Sequence, residues 1–157
     1  MQTIPDITRF EAGGDALRAA VAGLSAEEML AFPVQGTWSI HQIVVHMADS
    51  DAIGIHRMKR IVAEENPLLI GYDESKFTAG LFYEAQSAEA ALTLFDLNRK
   101  EFAKVLRRLP AEAFGRVGCH NERGLIKLGE TVDHYAEHLE HHLRFVYEKR
   151  KKLGKPL

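Results

Sequence analysis

Three long stretches of helix-spaced apolar residues, each with its own start and stop signals, limit what this chain can fold into. The first opens at Ser39-Ile40-His41-Gln42, a capping box in which residues one and four satisfy each other's backbone amides. Ile40, Val44, Met47, Ile55, Met58 and Val62 then recur at helical spacing to about Glu65, and Asn66-Pro67 ends the run. The second lies behind Ser87, from about Ala88 to Leu109, with Leu92, Phe95, Phe102, Val105 and Leu106 as its stripe and Pro110 as its stop. The third runs from about Glu130 to Lys152. A shorter amphipathic stretch, Asp6 to Ala22, is weakened by Gly13-Gly14, and Ser25-Ala-Glu-Glu caps a short helix after it.

Amphipathic helices of this length bury their stripes against one another. The expectation is an all-α domain, a four-helix bundle with one long crossover connection. That connection is Pro67 to Gln86, with a helical turn or two from Asp73 to Leu81. Helical periodicity lapses from Gly115 to Leu128, where Asn121-Glu122-Arg123-Gly124 reads as a tight turn or small hairpin.

One domain spanning residues 1–157 fits the length, and 46% hydrophobic with 27% charged residues excludes a disordered chain. The net charge of −2 argues against a nucleic-acid binder. The basic cluster Lys149, Arg150, Lys151, Lys152 and Lys155 reads as a solvated helix end that complements the dipole. No apolar run approaches the ~18 residues of a membrane span. Met1 to Arg9 carries no leader pattern, and one cysteine, Cys119, fits a reducing compartment. The cytoplasm is the expected location, and Cys119 is expected to pack structurally.

Histidine stands out. Of eight, four fall within nine residues: His134, His138, His141 and His142. On the wheel of the last helix, Val132, Tyr135, Ala136, Leu139, Leu143 and Val146 define the apolar side. Two pairs one turn apart could chelate an ion, His134 with His138 and His138 with His142. The second lies ~80° from the apolar centre and the first ~120°, so His138/His142 faces the bundle interior. His141 points toward solvent. From the Ile40–Glu65 helix, His46 sits at the edge of the apolar stripe, whereas His56 lies among Arg57, Lys59 and Arg60, and His41 falls in the first turn, where exposure is expected. The expected ligand set is His46, His138 and His142, with Asp49 as an acceptor behind a ligand or an ordinary surface acid.

Trp38-Ser39-Ile40-His41-Gln42-Ile43-Val44-Val45-His46-Met47-Ala48-Asp49 resembles a motif of the DinB/YfiT-like family, W-x-x-x-x-[VI]-x-x-H-[LM]-x-D. Glu64-Glu65-Asn66-Pro67 with Tyr72-Asp73-Glu74 resembles the loop of its YfiT-type branch, and Tyr135 to Leu143 is similar to its metal helix. His41 is a departure, since members often carry Arg there. The resemblance implies an up-down-down-up bundle, often dimeric, with three histidine ligands that map onto His46, His138 and His142.

All-imidazole ligation suits zinc or nickel, with iron as a further candidate. Such a centre serves two chemistries: transfer of a low-molecular-weight thiol, such as bacillithiol or mycothiol, to an electrophilic small molecule, or hydrolysis by an acidified water. Thiol transfer is the first expectation, by family analogy. Hydrolysis is the alternative, and a non-catalytic, stress-related metal binder the third reading. A homodimer is expected as well. Phe77, Leu81, Phe82 and Tyr83 give the crossover more apolar surface than a connector needs, to cover either the bundle's open end or a symmetry mate.

Overall fold

In the computed structural model, residues 4–157 are described. Met1 to Thr3, the start of the expected domain and of the segment read for a leader, lie outside the described residues. The helices are α1 (Ile7–Glu11), α2 (Gly13–Val21), α3 (Ala26–Leu30), α4 (Ile40–Ala63), α5 (Glu74–Gly80), α6 (Ala88–Leu106) and α7 (Leu128–Lys152). The strands are β1 (Leu68–Leu69), β2 (Val117–His120) and β3 (Gly124–Lys127). Among the described residues, no helix is long and apolar enough to cross a membrane.

Local chemistry sets the boundaries. Ser39 and Gln42 close the capping box that starts α4, and Ser25 with Glu28 does the same for α3. Ser87 caps α6 by accepting from the amide of Ala90. The stretch expected as one helix over Asp6–Ala22 divides at Ala12 into α1 and α2. The two glycines at the break make room: a side chain at Gly13 would strike the Arg99 guanidinium, and one at Gly14 would strike Asp96.

Side-chain pairs across the bundle give its connectivity. Glu11 meets Arg107 and Arg18 meets Glu89, so α1/α2 runs antiparallel to α6. His41 reaches the backbone of Tyr83 and Gln86 just before α6, and Asp51 meets Arg99 halfway down, so α4 and α6 are parallel. Arg57 meets Tyr135 while His46 meets His138, so α4 and α7 are antiparallel. The result is the up-down-down-up bundle, and the crossover is what lets α4 and α6 point the same way.

The small hairpin is present and gains a third strand. β2 pairs antiparallel with β3, Gly118 opposite Ile126, and β1 from the crossover adds in parallel, Leu68 opposite Cys119. Strand alternation turns Gly118 and His120 inward and Cys119 outward, so the cysteine is exposed rather than packed.

The core forms two clusters. One gathers Leu17, Ile43, Met47, Phe95 and Leu139; the other gathers Phe10, Met58, Phe102, Phe114 and Val132. Between them, Arg99 and Asp51 are both 0% exposed and paired side-on. Arg99 also donates to the carbonyls of Phe10 and Tyr135 and lies over the rings of Phe10 and Phe95. One buried cation thereby joins α1, α4, α6 and α7.

Three further expectations change. His41 is buried, because its Nε2 lies 3.0 Å from both the Tyr83 and Gln86 carbonyls and donates to them. Lys149 and Arg150 are buried rather than solvated. They continue the inward row of Val146, and Arg150 satisfies the carbonyls of Ala20, Ala22 and Lys155. The crossover's apolar group divides: Tyr83 is fully buried and Phe77 packs on the core, whereas Leu81 and Phe82 are 46% and 71% exposed.

Candidate metal centre

His46 lies near the start of α4, about one and a half turns before Asp51, and His138 and His142 lie one turn apart on α7. The buried Asp51–Arg99 pair and the donation from Arg99 to the Tyr135 carbonyl hold these two helices in register. The structure brings the three imidazoles together. Each offers a ring nitrogen within 4.8 Å of the others. The Nε2 of His138 is 3.4 Å from that of His46 and 3.1 Å from that of His142. Two nitrogens ~2.1 Å from one ion, at octahedral or tetrahedral angles, lie ~3.0 to ~3.4 Å apart. Both spacings at His138 therefore fit a divalent cation.

Electrostatics agree with the geometry. Burial, and then the neighbouring rings, push His46 and His138 down to about 3, and burial pushes His142 down to about 4. All three are neutral at pH 7, the state a ligand requires. Trp38 stacks parallel to His142 and tilts against His46, and the Nδ1 atoms of the three rings are buried without a partner among the described residues. With the protons of the neutral rings on Nδ1, the three Nε2 lone pairs converge in a desolvated pocket, where a cation satisfies them together and little else does.

The other sequence candidates have different employment. His134 is half-buried beside the cluster with its Nε2 3.5 Å from Arg123, and His141 and His56 are exposed. Asp49 accepts a 2.7 Å hydrogen bond from the Tyr83 hydroxyl, anchoring the crossover to α4.

Alongside the cluster lies a cavity of about 280 Å³ that reaches His138 and is walled by Arg57, Tyr72, His120, Arg123, His134 and Tyr135. Sequence reasoning missed it. Arg57 registered only as part of a cationic stretch around His56, and the hairpin that delivers Arg123 and His120 carries no periodic signal tying it to α4 or α7. Glu74 also lines this space, its carboxyl raised by burial and by Asp73.

Comparison with known proteins follows the same lines. The fold is similar to that of YfiT from Bacillus subtilis, described as a probable metal-dependent hydrolase with an unusual four-helix bundle topology. The TM-score is 0.88 at 25% identity, over 94% of this chain and 85% of that one. A provisionally named metal-dependent hydrolase of Oceanobacillus iheyensis is 32% identical over 130 residues, 83% of this chain and 75% of the relative. One of Bacillus licheniformis, with the same provisional name, is 30% identical over 140 residues, 88% and 79% of the two chains. Residues 9–146 match the DinB superfamily, and with the bundle and the histidine cluster in place, this chain belongs to that family.

Proposed function

We propose that this protein is a metal-dependent enzyme that transfers a low-molecular-weight thiol to an electrophilic small molecule, with His46, His138 and His142 holding the divalent ion. Zinc and nickel are the first candidates and iron the next. The observation that carries the reading is the convergence of three neutral, desolvated imidazoles. Three protein ligands leave coordination positions for an incoming molecule, as catalytic centres do. A bound divalent ion supplies a Lewis acid that favours the thiolate of an incoming thiol.

The chain's residues supply the rest. The rings present lone pairs without competing protons, Trp38 covers the His46 and His142 side, and the cavity beside His138 admits the small molecule. Cys119 points outward from β2, so the thiol comes from solution rather than from the chain. Hydrolysis is the second reading. It is favoured by the names of the relatives and by Glu74, a carboxyl that lines the same cavity with its pKa raised, which suits proton transfer. Neither reading involves nucleic acid or a membrane, and both accommodate a cytoplasmic homodimer.

Metal analysis of His46→Ala and His142→Ala against wild type tests the ligands; stoichiometric metal in both variants would overturn the assignment. Loaded protein incubated with a model electrophile, with and without bacillithiol, mycothiol or glutathione, beside an ester and amide panel, tests the chemistry. Thiol-dependent conjugation is the expected result. Turnover of esters or amides without thiol replaces it with hydrolysis, and silence in every arm replaces both with metal binding alone.

A further inference from the structure

We propose that the cavity beside His138 contains a carboxylate subsite, formed by Arg57 and Arg123 with His120, Tyr72 and Tyr135, which orients an anionic reactant whose reactive end lies at the histidine cluster. The inference deepens the proposed function, and rests on it for the direction in which the reactant lies.

Two guanidiniums that line one cavity, neither of them in a salt bridge, carry the argument. Arg9, Arg18, Arg60, Arg99 and Arg107 each pair with a carboxylate. Among the described residues, Arg57, Arg108, Arg116, Arg123, Arg144 and Arg150 pair with none, and of these Arg57 and Arg123 line the same cavity. Arg57 is held in place by neutral groups: it donates to the Tyr135 hydroxyl at 3.2 Å and to the Ile70 carbonyl, while its Nε is buried without an acceptor. A guanidinium fixed in this way by neutral groups presents its charge to the cavity it lines.

The surrounding groups are donors. The amide of Glu122 donates to Nδ1 of His120, which places the His120 proton on Nε2. Because the Tyr135 hydroxyl accepts from Arg57, its own proton is free for another acceptor. The Tyr72 hydroxyl is buried, with the Ser50 side chain as its polar neighbour and no close acceptor. Two carboxylates, Glu74 and Glu122, also border the space, and that of Glu122 lies over Gly71. They oppose a dianion such as phosphate more than a monoanion, and a planar carboxylate matches the guanidinium fork.

Calorimetric titration of the metal-free protein with succinate, and with uncharged succinamide, tests the subsite without any contribution from carboxylate on a metal. Succinate should bind saturably and succinamide about tenfold or more weaker. Arg57→Gln and Arg123→Gln should each weaken succinate about tenfold, and Arg108→Gln, in the exposed turn after α6, should not. Arg123 is exposed on the hairpin turn, so its variant keeps the test open should Arg57→Gln fail to fold. Equal affinity for succinamide, no saturable binding to wild type, or unchanged affinity in Arg123→Gln would overturn the proposal. His46→Ala should keep succinate binding while losing metal, which separates failure of the subsite from failure of the metal reading. In the loaded enzyme, reactant pairs with the carboxylate on the electrophile alone or on the thiol alone identify its source. Arg57→Gln should raise KM only for the carboxylated partner, and unchanged KM for both would overturn the proposal.

Discussion

Replacing Arg99 with alanine should be the most damaging single change away from the histidines. Arg99 has no exposure, and it holds the Asp51 carboxylate through Nε and Nη2, at 3.0–3.1 Å and 2.7 Å. Burial pushes the Asp51 carboxyl up and Arg99 opposes it. Removing one partner of a buried pair costs about 3–5 kcal/mol, a large share of a typical stability of about 5–15 kcal/mol. The double variant Asp51→Leu/Arg99→Met should recover at least half of that loss. It leaves no orphaned charge, and the Tyr135 carbonyl, in mid-helix, keeps its helical donor. Urea denaturation of metal-free wild type, Asp51→Leu, Arg99→Met and the double variant at pH 7 measures all four corners of the cycle, with Arg99→Ala beside them. A pH series adds a signature. In Arg99→Ala, burial acts alone and Asp51 has a folded pKa above its unfolded one. The variant therefore gains stability relative to wild type as pH falls toward about 4. A loss below about 1 kcal/mol, or single losses that simply add in the double variant, would refute the claim that this pair organises the bundle.

The histidine cluster predicts acid sensitivity. His46, His138 and His142 have folded pKa values of about 3, 3 and 4 against 6.5 for the free group, so the unfolded chain takes up protons first. Metal-free protein should lose stability as pH falls below about 6.5, by about 2 kcal/mol per histidine at pH 5. Thermal melts flat between pH 7 and pH 5 would contradict it. Gly54→Ala should destabilise by about 1–3 kcal/mol, because a methyl there enters the space of the Tyr135 ring; an unchanged melting temperature would show that the α4–α7 contact is looser than drawn. Light scattering after size exclusion should give twice the 17.6 kDa chain mass, with exposed Leu81 and Phe82 as the first surface to mutate; a mass near 17.6 kDa would rule out the dimer.

Much of this protein is legible from local chemistry. The capping boxes at Ser25 and Ser39, the cap at Ser87 and the 3.6-residue stripes are short-range signals, and the helices begin where those signals stand. The wheel of α7 likewise separates His138 and His142 from His134 and His141, because which face a side chain occupies is a property of one helix. Long-range pairing has no such local mark. That His41 is buried follows from where the crossover lays the Tyr83 and Gln86 carbonyls, and nothing within the first turn of α4 reports it. Arg57 and Arg123 are far apart in the chain, and only closure of the hairpin over α4 and α7 makes them walls of one cavity. Arg99 reads as one more charge on an amphipathic helix until four helices meet around it and remove its water, which turns a surface-type residue into the centre of the core.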